Sequence, residues 1–245
     1  MTESVEKKKV PMGACALCGQ HVNKNQMTKH LATCVIEHDA REREKKKQPR
    51  DATYFHLVVE GRSVPGYWLH VEARSNARLS ALDQFLRDIW LECCGHLSQF
   101  KIDDTYYISD YDALEDEDDT LSMNRAMNTV LEAGDKFTHE YDFGTTTMLT
   151  LRVLSEHTGL NRRASVRLLA RNDPLDHRCA VCGKPATVVC PFCIYTEEPA
   201  WYCDDEACRE KHECEDSEDA WLPVANSPRV GMCGYTGNPV EYLDE

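Results

Sequence analysis

Apolar side chains recur at every second position in two neighbouring runs, TYFHLVVEG (53–61) and GYWLHVEA (66–73), both rich in β-branched and aromatic residues. They flank the turn Gly-Arg-Ser-Val-Pro-Gly, so the pattern predicts a β-hairpin. In SALDQFLRDIWLECCG (80–95) the period changes: Leu82, Phe85, Leu86, Ile89 and Trp90 fall on one helical face, with Ser80 and Gly95 as expected caps. LSQFKI and DTYYIS read as short strands, MNTVLEAG as a short helix, DKFTHEYDFGTTTMLTLRVLSEH as a stretch ending in a long strand, and VRLLA as one more strand. The order predicts an α+β fold, a central mostly antiparallel sheet with a packed helix. Cys93 and Cys94, at the end of that helix, read as buried small apolar residues.

Outside this core the pattern is set by cysteine. CALCGQHVNKNQMTKHLATC places Cys15, Cys18, His30 and Cys34 in the order C-x2-C-x11-H-x3-C. Two thiolates on a tight turn, with a His and a Cys one helical turn apart, suit a tetrahedral zinc ion. From 179 the chain runs C-x2-C-x7-C-x2-C-x9-C-x4-C-x3-H-x-C. That order resembles the cross-braced double-zinc modules of the MYND and B-box type, in which alternate ligand pairs share an ion. The resemblance implies one site from Cys179, Cys182, Cys203 and Cys208, and a second from Cys190, Cys193, His212 and either Cys214 or Cys233, with Cys214 favoured. Three zinc ions are therefore expected, in two small zinc-binding modules flanking the central domain. Val188, Val189, Phe192, Tyr195 and Trp201 would form the module's apolar cluster. The expected boundaries are 1–36 for the finger, 37–52 for a charged linker or helix, 53–174 for the α+β domain and 175–245 for the C-terminal module and tail.

Composition narrows the chemistry. The chain has 245 residues, 42% of them hydrophobic and 29% charged, without a long apolar run, and MTESVEKKKVPMG lacks the apolar core of a secretion signal. A cytoplasmic protein with no membrane segment is expected. Thirteen cysteines in a reducing compartment favour zinc over disulfides, and the odd count agrees. The net charge of −14 hides a basic start: residues 1–50 carry 11 Lys and Arg against 6 Asp and Glu. Lys24, Lys29, Lys45, Lys46 and Lys47 are the candidate contacts for nucleic acid. Nine acidic side chains between Asp103 and Asp119 predict a solvated loop, and eleven between 197 and 219 turn that face away from nucleic acid. Arg162, Arg163, Arg167 and Arg171 either grip phosphate or neutralise those acidic surfaces, the second being favoured.

GYWLHVEARSNARLSALDQFLRDIWLECCGHLSQFKI, followed by FTHEYDFGTTTMLTLRVL, resembles the plasmid pRiA4b ORF-3-like family over roughly residues 53–172. The matching motifs are His96, Leu97 and Phe100 in a His-Leu-x-x-Phe strand, and the Tyr-Asp-Phe-Gly turn from Tyr141 to Gly144. The resemblance implies a bacterial or archaeal setting near mobile elements, and members have carried a transposon-resolvase label. No recombinase nucleophile motif, P-loop, G-x-S-x-G elbow, H-E-x-x-H helix or Rossmann glycine pattern is present. His96, His139, Glu140 and Asp142 are titratable groups near the motifs, but structural roles suit them better: His96 as a cap on helix carbonyls, Asp142 as an acceptor in a tight turn. No catalytic residue can be named. The expectation is a non-enzymatic, zinc-binding adaptor or regulatory protein with a protein partner. Nucleic-acid binding through the basic N-terminus is the alternative, and an enzyme of unknown chemistry a third.

Overall fold

The alternating runs around the Gly-Arg-Ser-Val-Pro-Gly turn form the antiparallel pair β3 (Asp51–Gly61) and β4 (Trp68–Arg74), with Tyr54 opposite Arg74 and Glu60 opposite Trp68. The computed structural model describes residues 10–110, 120–214 and 220–237; most of the acidic loop, 111–119, and the end of the acidic run, 215–219, lie outside the described residues. β1 (Met12–Cys15), β2 (His21–Asn23), β5 (Ser98–Ile102), β6 (Thr105–Ile108), β7 (Thr120–Ser122), β8 (Lys136–Tyr141), β9 (Thr147–Leu160) and β10 (Val166–Asn172) join the hairpin in one ten-stranded sheet. Its order is β2-β1-β10-β4-β3-β9-β8-β5-β6-β7, antiparallel throughout except where β6 meets β7. The stretch MNTVLEAG gives one 3-10 turn, Met127–Thr129.

The amphipathic segment is helix α2 (Leu79–Leu86), continued by a wider π turn over Arg87–Leu91. Leu82, Phe85, Leu86, Ile89 and Trp90 are buried against Leu57, Val59, Leu69, Val71 and Leu151 of the sheet. Ser80 is not the cap. Leu79 N donates to Arg125 O and Ser80 N to Met123 O, so passing backbone satisfies the first helical N–H groups where a capping side chain would have done so.

The other sheet face carries helix α1, and here the expected boundaries shift. α1 runs from Lys24 to Glu44, through position 36 and over the first half of the expected linker or helix. Met27, Leu31 and Val35 pack on Trp68, Leu169 and Ala170. Farther along, Asp39 accepts from Leu160 N and pairs with Arg162 and Arg167. These contacts hold as helix a polar stretch that would be marginal alone. The N-terminal unit is also part of the sheet, since β1 pairs with β10. A Cβ at Gly13 would sit 2.3 Å from Arg171 O and 2.5 Å from the Trp68 ring, so glycine is what lets β1 approach.

The C-terminal module builds a three-stranded sheet, β12-β11-β13, from β11 (Val188–Val189), β12 (Trp201–Tyr202) and β13 (Leu222–Pro223), with a short helix α3 (Glu206–Arg209). Its expected apolar cluster is only partly formed. Val189 is fully buried, while Phe192 and Tyr195 are 47% and 57% exposed. Burial comes instead from the central domain: Val189, Ala200 and Val230 join the main core, Trp90 Nε1 donates to Asn226 O, and Ser227 Oγ donates to Trp90 O.

Candidate metal centres

Four clusters of Cys and His bring their donor atoms within 4.8 Å of one another. In the first, β1 ends at Cys15 and the chain turns through Cys18 and Gly19, where Gly19 N donates to Cys15 O. Gly19 has φ +73°, and Gly183 of the second cluster repeats the arrangement at φ +70°, donating to Cys179 O. The two turns read CALCG and CAVCG, so one local sequence builds the same thiolate-presenting loop twice. α1 supplies His30 and Cys34 one turn apart, its start fixed by the Asn23 side chain accepting from Gln26 N. Cys15 Sγ lies 3.8 Å from Cys34 Sγ, and Cys18 Sγ 3.4 Å from His30 Nε2.

The C-terminal module holds two clusters in alternation. Cys179 and Cys182 meet Cys203, at the end of β12, and Cys208 in α3, with Cys182 and Cys203 Sγ atoms 3.7 Å apart. Cys190 and Cys193 meet His212 and Cys214, with Cys193 Sγ 3.6 Å from His212 Nε2. Cys233 is not here.

It belongs to a cluster that spacing did not reveal: Cys93, Cys94, His96 and Cys233. The buried-apolar reading of Cys93 and Cys94 is wrong, since Cys93 is half-buried and Cys94 exposed. Nor does His96 cap the helix; its Nε2 lies 3.1 Å from Cys94 Sγ and 3.3 Å from Cys233 Sγ. The expected three centres become four clusters. Cys-Cys-Gly-His lacks the two-residue gap that marks a metal knuckle, and its partner lies 139 residues from Cys94. The available signal was the three cysteines that the other clusters leave over, Cys93, Cys94 and Cys233. Three clusters use three cysteines each and one uses four, which accounts for all thirteen, none of them bridged.

The donor geometry fits a tetrahedral ion. Zinc bonds of about 2.3 Å to sulfur and about 2.0 Å to nitrogen place ligand atoms roughly 3.5–3.8 Å apart; in the first three clusters the Cys15–Cys34, Cys182–Cys203 and Cys193–His212 separations fall in that range and Cys18–His30 just below it. Electrostatics agree. Burial pushes the Cys34, Cys193 and Cys208 thiols up to about 12, reinforced by neighbouring cysteines, and hydrogen bonding with Cys93 and Cys233 does the same to Cys94. Burial also opposes ionisation of Cys179, but backbone N–H groups of Cys182, Val181 and Cys203 bring it down to about 6. Each cluster thus resists holding all its thiolates unless a cation is present, and a divalent cation removes that resistance.

The remaining candidates find partners inside the protein. Lys24 pairs with Glu60 and donates to Pro65 O, Lys45 pairs with Glu42, and Lys46 donates to Asn161 O, whereas Lys29 and Lys47 are exposed. Among the described residues, three of the four arginines at 162–171 have partners other than the acidic stretches expected for them. Arg162 and Arg167 bond Asp39, Arg167 also bonds Glu72 at 2.6 Å, and Arg171 donates to Asn226 O. His139 is fully buried and sits 2.7 Å from Asp83, which also binds Ser98 and Arg87. Burial disfavours ionised Asp83, yet the His139 hydrogen bond and charge, with Arg87, hold its carboxyl below the usual range. Asp142, at φ +65°, accepts from Gly144 N and Thr145 N in the expected tight turn. A cleft of about 450 Å³ lies between the β3–β4 turn and the C-terminal module, walled by Val64, Tyr67, Ile194, Tyr195, Trp201 and Met232.

No helix among the described residues is long and apolar enough to cross a membrane. No family model matches the sequence, and no curated protein matches it. A solved structure is similar in part: the crystal structure of a protein of unknown function, MM3350, from Methanosarcina mazei Go1, at 12% identity, covering 49% of this chain and 67% of that one with a TM-score of 0.39. A likeness of that size carries no argument about activity.

Proposed function

We propose that the protein is a non-enzymatic adaptor, held in shape by zinc, that grips a partner protein. The observation that carries this reading is the alternating pair of four-donor clusters in the C-terminal module, Cys179, Cys182, Cys203 and Cys208 beside Cys190, Cys193, His212 and Cys214. A set of four protein donors leaves no open position for substrate or water, which is the mark of a structural site. The most suggestive acid–base group, His139, is sealed from solvent. The resemblance to the pRiA4b ORF-3-like family supports a setting near mobile elements.

The cleft beside the module is the gripping surface in this reading. Val64 and Tyr195 line it and are 44% and 57% exposed. Glu197 and Glu198 follow Tyr195, and the chain carries −14 overall, so the matching partner segment is an apolar or aromatic side chain flanked by basic residues. Nucleic-acid binding is less well supported, because Lys24 is already paired with Glu60.

The test is capture with the full chain, followed by direct binding of the purified partner. Val64→Asp and Tyr195→Ala are expected to weaken binding at least tenfold while metal content stays unchanged. Binding of duplex DNA or RNA that is lost with Lys29 and Lys47, or substrate turnover abolished by a single change at Asp142, would remove the proposal.

A further inference from the structure

We propose that Cys93, Cys94, His96 and Cys233 form a fourth metal site, taking a thiophilic divalent ion such as zinc, and that this ion clasps the C-terminal tail to the central sheet. The first three clusters are each closed within a short stretch of chain; this one joins the end of α2 and the start of β5 to a residue 137–140 positions away. Its donors lie at 3.1–3.6 Å from one another along the contacts Cys93 to Cys94, Cys94 to His96, Cys94 to Cys233 and His96 to Cys233, tighter than the roughly 3.5–3.8 Å around a bound ion, so they would spread by a few tenths of an ångström on binding. A disulfide needs its sulfurs at about 2.05 Å, so no pair here is bonded.

Surrounding groups are arranged for a thiolate-rich site. Arg229 is fully buried, and a buried guanidinium requires anionic partners. Its Nη2 donates to Cys93 Sγ at 3.3 Å and to Asp142 Oδ2 at 2.7 Å, while Nη1 donates to Thr145 O and Thr147 Oγ1. Three thiolates and a neutral imidazole around a divalent ion leave one net negative charge, which the guanidinium faces. Asp142 Oδ2 also lies 3.6 Å from His96 Nε2, at the edge of the donor set. A ligated cysteine commonly has such an outer partner to fix its orientation.

The backbone is bent to deliver the ligands. Cys233 has φ +46°, a left-handed conformation that costs a non-glycine residue energy, and Gly231 and Gly234 beside it are left-handed as well. Gly95, at φ +75°, lets the chain double back between Cys94 and His96. Cys94 and Cys233 are exposed. Cys18 and Cys182 of other clusters are exposed too, but each of the other clusters has at least two buried cysteines, whereas none of the donors Cys93, Cys94, His96 and Cys233 is buried. The clasp ion therefore faces solvent and exchanges faster than the others. Loss of the ion frees Cys233 and its neighbour Met232, a wall of the cleft.

Metal stoichiometry of the full chain tests this. The protein is reduced, equilibrated with excess zinc, desalted and analysed. Wild type is expected to hold four ions per chain, and Cys233→Ser and Cys94→Ser three, with hydrogen exchange rising in residues 222–237 and unchanged in α1. If either variant fails to fold, cobalt(II) titration of the wild type replaces it, with thiolate charge-transfer absorption rising to four equivalents. One equivalent is expected to leave ahead of the rest when a chelator is added. Three ions in the wild type, four retained in Cys233→Ser, or a Cys94–Cys233 disulfide in freshly isolated protein would overturn the site. None of these outcomes touches the adaptor reading, which rests on the C-terminal module.

Discussion

His56 and His70 meet on the α1 face of the sheet, Nε2 of one 2.9 Å from Nδ1 of the other, so one ring donates and the other accepts, and both are neutral. Burial, with His157 nearby, lowers His56 to about 4; burial, with His56 and Lys24 nearby, lowers His70 to about 3. Glu72 acts the other way on His56 and does not reverse the shift. Both rings protonate near 6.5 when unfolded, so the unfolded chain takes up protons first on acidification. Their contribution to stability is complete above pH 6.5 and is lost as pH falls from 6.5 toward 4 and below. NMR of the imidazole Cε1–H signals checks this: neither ring is expected to titrate between pH 8 and 5.5. Arg167 gives a second prediction at this scale. It is buried between Glu72 and Asp39, and Arg167→Met leaves both carboxylates without it, at about 3–5 kcal/mol in urea unfolding. The charge of Arg167 is plain in the sequence, but its partners are not. They depend on which face of β10 it occupies, and a register shift between Leu168 and Ala170 alters that alternation.

At the scale of elements, the β1–β2–α1 unit shows how a local motif becomes part of a larger sheet. The C-x2-C…H-x3-C spacing points to a finger, and the finger's hairpin pairs with β10 and carries the sheet two strands further, to β2 at its edge. Gly13 marks the joint. Gly13→Ala is expected to force β1 away from Arg171 O and the Trp68 ring, at about 1–3 kcal/mol, with faster hydrogen exchange at Ala14 and Cys15. Strands and α2 were readable because alternation and the 3.6-residue period are local properties. The length of α1 was not, since its second half is charged and is anchored by Asp39 to residues 121 or more positions away.

For the whole molecule, the balance between metal and apolar core differs by region. β3 pairs with β9 over eleven residues from Asp51 to Gly61, and the main core surrounds that pair. The C-terminal module has strands of two residues. Stripping metal with a strong chelator under reducing conditions is therefore expected to unfold residues 175–214 and loosen α1, while β3, β4, β8 and β9 keep slow hydrogen exchange. Restoring zinc is expected to restore the lost protection.

By itself the amino-acid sequence determined the elements whose signals lie within one or two turns of chain: the hairpin, α2, and the closely spaced ligand pairs of three clusters, with the last ligand of one left between Cys214 and Cys233. Tertiary structure alone decided what requires distant segments to meet. It brought Cys233 to Cys93, Cys94 and His96, gave Asp39 to Arg162 and Arg167, and laid β1 against β10. The reason is physical: a ligand pair on a tight turn aims two donors at one point wherever that turn sits, whereas a single cysteine in a tail acquires a direction only when the surface beneath it is built.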